Sequence, residues 1–166
     1  MKVIEGRVWK FGDDIDTDLI VPGRYLMYDV AEIAGHVMEG TRPGFADLVG
    51  RGDVVVAGKN FGSGSSREVA ARALREAGVV AVVAKSFSRI FFRNSINVGL
   101  VPVECEEADV IEESQTVRID IDRGEVIIIE TEERLVAKSL PSEVAAIMEA
   151  GGLVDFLRIR IGDDTT

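Results

Sequence analysis

The chain has 166 residues, 46% of them hydrophobic, and a formal net charge of −10. That length points to one domain, residues 1–166, and a domain near this size buries roughly 70% of its unfolded surface. The acidic excess argues against nucleic acid and against an anionic membrane surface as partners, although a local site can still be positive inside a negative protein.

Cys105 is the only cysteine and His36 the only histidine. They exclude an internal disulfide and a cysteine- or histidine-rich metal site built from this chain alone. "MKVIEGRVW" at the amino terminus has no apolar signal region. The longest aliphatic run, Val79–Ala84, is far short of the ~20 residues that a membrane span needs. The expectation is a soluble, cytoplasmic protein that binds neither nucleic acid nor membrane.

Residues 2–9 alternate loosely and predict a strand. "FGDDIDTDLIVPGRYL", residues 11–26, reads as a loop with short extended pieces. Its aspartates, Asp13, Asp14, Asp16 and Asp18, lack the central glycine and terminal glutamate of a calcium loop, so turn capping plus one site aspartate is the expectation. Residues 29–40 predict a short helix. "DVVVAGKNF", residues 53–61, carries the consecutive valines of a buried strand. A glycine loop follows, then a helix from about Ser66 to Ala77. Val69, Ala70, Ala73, Leu74 and Ala77 recur there at three- and four-residue steps, and Gly78 is the expected stop. "VVAVVA", residues 79–84, is the next buried strand, so residues 53–84 predict a strand–helix–strand unit with parallel pairing.

"SFSRIFFRNSINVG", residues 86–99, reads as a short helix and turn, and "LVPV" as a further strand. Asn94 and Asn97 read as turn caps; Arg89 and Arg93 either add positive charge near a site or lie along the surface. "TVRIDIDRGEVIIIETEE" has β-branched runs flanking Asp122-Arg123-Gly124, the signature of a hairpin. "PSEVAAIMEAGGLVDFL" predicts a closing helix with Pro141 and Ser142 at its start and Gly151 and Gly152 at its end. Residues 160–166 are expected to form a flexible tail. Trp9 is expected in the core or a subunit interface, His36 in a structural or exposed place, and Cys105 at a strand end. The fold class expected is α/β: a mixed sheet, partly parallel and partly antiparallel, covered by helices.

The loop "FGSGSSRE" carries the chemistry. One reading is structural: a glycine turn with Ser65 or Ser66 as an N-cap. The other starts from the free N–H groups and partial positive charge of a helix start, which attract anions. Gly62 and Gly64 permit close backbone approach, and Arg67 adds a guanidinium fork suited to a carboxylate or phosphate. The loop lacks the lysine of a phosphate-binding P-loop, and Arg67 stands where a dinucleotide loop has its third glycine. A carboxylate therefore fits better than a nucleotide. A serine-histidine-aspartate triad is not indicated, with His36 as its only candidate base. A serine alkoxide stabilised by N–H groups and a cation could instead take a proton from carbon beside a carboxylate.

"FGSGSSRE" with its alanine-rich helix, "VVAKSFSRIFFRNSINVGLVPV" and "FGDDIDTDLIVPGRYL" together resemble the small subunits of the aconitase-type hydro-lyases. The match runs from residue 5 to about 105, nearest to the branch acting on isopropylmalate, with the homoaconitase branch beside it. The resemblance implies a swivelling domain of three layers, β/β/α. It implies a large-subunit partner, in a heterodimer or heterotetramer, that carries a [4Fe–4S] cluster with one iron open. This chain itself would bind no cofactor or metal. The implied reaction is reversible dehydration and rehydration of a malate derivative. Ser65 would be the catalytic base; Ser66, Arg67 and Gly64 would bind substrate; Thr17 and Asp18 would support them, with Asp18 positioning Arg67 or Ser65.

Within that family the segment "RYLMY" bears on substrate choice. Relatives that use tricarboxylates place an arginine after the Tyr-Leu pair; here that place is Met27, followed by Tyr28. Methionine packs against a branched alkyl group and cannot pair with a carboxylate, so the loop favours isopropylmalate over homocitrate. Arg24 is close enough in sequence to swing in, and a citraconate- or methylmalate-type substrate differs by too little to be excluded. The alternative from a different class is a carboxylate- or phosphate-binding module without chemistry.

Overall fold

The structure is a computed structural model and describes residues 3–163. Its strands are β1 (Val3–Lys10), β2 (Val54–Ala57), β3 (Ala81–Ala84), β4 (Val101–Glu104), β5 (Thr116–Asp120), β6 (Glu125–Ile128) and β7 (Glu133–Val136). Its helices are α1 (Thr17–Ile20), α2 (Val30–Ala34), α3 (Phe45–Leu48), α4 (Glu68–Ala77), α5 (Arg89–Val98), α6 (Ser142–Ala150) and α7 (Leu153–Asp163), with 3-10 turns at Gly23–Tyr25 and Ala108–Val110.

The sheet order is β4-β3-β2-β1-β5-β6-β7. β1 joins two halves of different kind. Its first residues, Val3 to Arg7, pair antiparallel with β5, while Val8 to Lys10 pair parallel with β2. β2, β3 and β4 continue in parallel, and β5, β6 and β7 continue antiparallel. At the crossing the chain entering β2 presses close on β1. A Cβ added at Gly6 would lie 2.1 Å from the Gly52 carbonyl oxygen, so only glycine fits there.

Strand periodicity sorts the core into two layers. Val54, Val56, Ala81, Val83, Val101 and Val103 face Val117, Ile119, Val126, Ile128 and Leu135 of the antiparallel half. Val55, Ala57, Val82 and Ala84 face the helices, packing with Ala70, Ala73 and Leu74 of α4 and Phe91 of α5. The result is the expected β/β/α sandwich with a mixed sheet. β2 and β3 are buried on both faces, which is why they read as unbroken aliphatic runs. Trp9 belongs to the helix-side core, and its indole Nε1–H donates to Asp53 Oδ2 at 2.8 Å. No helix among the described residues is long and apolar enough to cross a membrane.

Several boundaries differ from the sequence expectations. The helix expected over 29–40 is only α2. It ends at Gly35, and Met38 then turns left-handed (φ 60°) to bond its N–H to the Ile20 carbonyl. α4 starts at Glu68, with Arg67 as its N-cap residue. Neither serine caps it, because neither occupies the position whose side chain faces the free N–H groups. The hairpin turns at Asp122–Gly124 as expected, with Asp120 Oδ1 accepting from Arg123 N–H, but a third strand, β7, follows it. Gly151 and Gly152, both at positive φ, end α6 as expected, and a second helix, α7, then runs on to Asp163. The rest of the tail, residues 164–166, lies outside the described residues.

Candidate active site

The loops after β1, β2 and β3 meet at one end of the parallel half, the carboxyl ends of its strands. This is where α/β sheets gather ligands, because helix starts and free loops converge there. The loop after β1 is stitched to the glycine loop by backbone bonds: Gly62 N–H to Ile15 O at 2.7 Å, Thr17 N–H to Ser63 O at 2.8 Å and Asp14 N–H to Lys59 O at 2.8 Å. The aspartates serve separate ends. Asp13 accepts from Lys59 N–H, Asp14 from the Asn60 amide and Asp16 caps α1 at Leu19 N–H. Asp18 alone among them reaches Arg67, accepting from Nη1 at 2.6 Å.

This stitching buries Thr17 and brings its Oγ1 to 3.3 Å from Ser65 Oγ. The glycines of the loop are needed for packing as much as for access. Gly62 has φ 80°, and a Cβ there would fall 2.2 Å from the buried Phe91 ring. The third loop supplies Ser88, which caps α5. Its hydroxyl donates to Gly62 O at 2.8 Å and accepts from Phe91 N–H at 3.2 Å.

The meeting point is a cleft of about 340 Å³. Thr17, Gly62, Gly64, Ser65 and Arg67 form one wall, and Ser88, Arg89, Ile90, Phe91 and Asn94 the other. The N-terminal ends of two ten-residue helices, α4 and α5, therefore border one concave space. Each end contributes partial positive charge to the cleft. The Arg67 side chain is 26% exposed and that of Asp18 67%, so the pair fixes the guanidinium at the rim. The cleft can hold a small anion beside a hydroxyl.

Of the residues singled out in the sequence, Thr17, Gly64, Ser65 and Arg67 line this cleft, and Asp18 holds Arg67. Ser66 is exposed beside it and is not in the wall. Arg24, Met27 and Tyr28 also stand outside the wall: Met27 is 94% exposed and Tyr28 half exposed. They sit on the 3-10 turn at Gly23–Tyr25 and the residues after it. Arg24 is drawn to Glu39, with Nη2 donating to Oε1 at 2.9 Å. The base of this turn nonetheless borders the site, since a Cβ added at Gly23 would lie 4.0 Å from Asp18 Oδ1. His36 stacks on Tyr25 with ring centroids 3.9 Å apart.

Ser88, Ile90 and Phe91 were not foreseen as part of a site, and Asn94 was read only as a turn cap. The available signal was Ser88 itself, a capping residue three positions before Phe91 in an amphipathic run. Cys105 is buried just past β4, and burial pushes its thiol pKa above the ordinary value. No cluster of three or more potential metal ligands occurs among the described residues.

The chain is similar to known proteins. The aconitase C-terminal domain model matches residues 46–108, the span holding β2, the glycine loop, α4, β3, α5 and β4. The 3-isopropylmalate dehydratase small subunit 1 of Methanopyrus kandleri is 53% identical over 158 residues, covering 94% of this chain and 93% of that one. The methanogen homoaconitase small subunit of Methanothermobacter thermautotrophicus is 49% identical over 154 residues, covering 92% and 89%. The crystal structure of 3-isopropylmalate dehydratase from Methanocaldococcus jannaschii matches with a TM-score of 0.93 at 45% identity, over 99% of this chain and 98% of that one.

Proposed function

This chain belongs to the family of 3-isopropylmalate dehydratase small subunits, aconitase-type hydro-lyases, and from that premise we propose what its cleft does. The activity is reversible dehydration and rehydration that interconverts 2- and 3-isopropylmalate in leucine biosynthesis, carried out by a heteromer of which this is one subunit. The observation that supports the site most directly is the placement of Ser65: its hydroxyl stands in the cleft beside Thr17 Oγ1, on the same wall as a guanidinium locked by Asp18.

Ser65 acts as the base. Its oxygen takes the proton from the carbon next to a substrate carboxylate, and the hydroxyl on the neighbouring carbon leaves. An alkoxide in water is too costly to serve at neutral pH. Here the polarised starts of α4 and α5 and the Arg67 charge favour the anionic form. Thr17 Oγ1 gives the serine oxygen a hydrogen-bonding neighbour that keeps it turned to the cleft. Arg67, with Ser66 and the backbone at Gly64, binds the carboxylate adjacent to the reacting carbon. Asp18 keeps the guanidinium in place while the cleft is empty.

The large subunit carries the [4Fe–4S] cluster. This chain does not fit as its holder, because a single buried thiol cannot supply the ligands that such a cluster takes. When bound in the partner, the cluster's open iron would supply Lewis-acid polarisation of the substrate hydroxyl and a carboxylate.

Overall identity does not decide the substrate, since the isopropylmalate and homoaconitase relatives lie at 53% and 49%. The substrate loop favours the first. Met27 and Tyr28 present apolar surface, and the loop's arginine is tied back to Glu39. Burying an isopropyl group against such side chains is worth about 1.5–3 kcal/mol. A third carboxylate there would be desolvated without a partner.

The test is reconstitution with the large subunit, iron and sulfide, followed by ultraviolet absorbance of the alkene formed from isopropylmalate and from homocitrate, and consumed from citraconate, in parallel. Alkene from isopropylmalate is the expected result. A complex with an intact cluster and no activity on any of the three would leave only a carboxylate-binding module.

A further inference from the structure

We propose that Glu39 is a positioning residue of the substrate loop: its carboxylate clamps Arg24, Tyr25 and His36, and by holding Arg24 out of the cleft it leaves Met27 and Tyr28 as what the loop offers to substrate. The inference deepens the reading above and rests on it for the substrate.

Both oxygens of the carboxylate are engaged. Oε1 accepts from Arg24 Nη2 at 2.9 Å and from the Tyr25 hydroxyl at 3.2 Å, and Oε2 accepts from His36 Nδ1 at 2.7 Å. The donors are also stacked on one another. The Arg24 guanidinium lies 4.8 Å from the Tyr25 ring centroid, and Tyr25 lies flat on His36 with an interplanar angle of 9°. An isolated surface ion pair would position little. Three donors on one carboxylate, joined by two stacking contacts, define a single geometry for the Gly23–Tyr28 turn. The hydrogen bond from His36, helped by Tyr25, holds the Glu39 carboxyl below the usual range, so the clamp is charged at neutral pH.

The platform under Glu39 is fixed. Met38 is fully buried and left-handed, with its N–H bonded to Ile20 O at 2.9 Å and its carbonyl accepting from Arg42 N–H at 2.7 Å. Such a backbone persists only where its surroundings determine it. On the other side, the turn abuts the Asp18 carboxylate that holds Arg67. Arg24 is the only cation between Pro22 and Tyr28 and its side chain is 66% exposed. Released from Glu39, it would bring a carboxylate-binding fork to the rim of the substrate cleft. The loop's preference then depends on Glu39 as much as on the residue at position 27.

The experiment compares wild type, Glu39→Gln, Arg24→Ala and the double variant. In the isolated full chain, amide exchange at Tyr25, Leu26 and Tyr28 should accelerate about tenfold in Glu39→Gln, since the turn opens locally more often. In the reconstituted complex, kcat/KM for isopropylmalate relative to homocitrate should fall by about tenfold in Glu39→Gln, chiefly through KM. Removing Arg24 as well should restore that ratio. Unchanged exchange in Glu39→Gln overturns the clamp, and a ratio that stays low in the double variant overturns the sequestration of Arg24. A wild-type complex that prefers homocitrate overturns the substrate reading instead, and the exchange comparison still decides the clamp.

Discussion

The two halves of the sheet share β1 and divide the labour. In the parallel half, β2 and β3 are buried on both faces, and the loops after β1, β2 and β3 open at one end into the cleft. In the antiparallel half, β5 and β6 bury alternate residues, β7 buries Leu135, and the three turn through tight connections with no helix between them. A parallel connection needs a crossover, and a crossover helix brings a polarised N-terminus. A hairpin brings none. The proposed chemistry therefore lies on the parallel side, where the starts of α4 and α5 border the cleft, and the antiparallel half serves as the layer that closes the second core.

That division can be broken by substitutions on either side. Arg67→Ala should lower kcat/KM for isopropylmalate by about 10²–10³ in the reconstituted complex, the cost of losing a charge-assisted carboxylate contact. Its thermal midpoint should stay near wild type. A collapse of the fold instead would make Arg67 structural. Leu135→Ala should do the reverse. Leu135 is 1% exposed on β7, so truncation should cost about 2–5 kcal/mol of stability by urea titration. The kcat/KM of the folded complex should hold within about twofold. A large kinetic defect there would tie the antiparallel half to the chemistry.

Met27→Arg should shift preference toward homocitrate by about tenfold. No shift would remove position 27 from substrate choice. The smallest effect is on pH. Glu39 and Asp109 have carboxyl pKa values lowered chiefly by hydrogen bonds with His36 and Lys85. For Glu113, burial is the largest single influence and raises the value, and the hydrogen bonds from Arg42 and the Lys10 N–H, with the charges of Arg42 and Arg7, together outweigh it. Lowered folded values mean that these groups stabilise the fold above their unfolded pKa values and cease to do so as pH falls through the folded ones. Acid unfolding should thus begin below about pH 4.5. Glu39→Gln should flatten that limb slightly, seen in melting midpoints across acidic buffers.

Much of this was legible in the sequence where one residue pattern maps to one local structure. The valine runs of β2 and β3 and the alanine stripe of α4 give the strand–helix–strand unit, and Asp122-Arg123-Gly124 gives the hairpin. β7 was not legible, because Glu133–Val136 buries only Leu135 and has no period to read. The helix after Gly152 was hidden because two glycines signal an end and say nothing of a restart. Half of the cleft was hidden for another reason. Ser88, Ile90 and Asn94 meet Ser65 and Arg67 through the packing of Phe91 under Gly62, a contact set by tertiary structure. The exposure of Met27 belongs with these, since it follows from the grip of Glu39 on a turn fifteen residues earlier.

In the proposed reaction the Ser65 oxygen removes the carbon-bound proton. The most direct measurement is single-turnover formation of the alkene from isopropylmalate by the reconstituted Ser65→Ala complex, alongside its substrate dissociation constant. The rate should be lower by about 10²–10⁴ with substrate affinity nearly unchanged. Alkene appearing at the wild-type rate, or a defect confined to affinity, would contradict it.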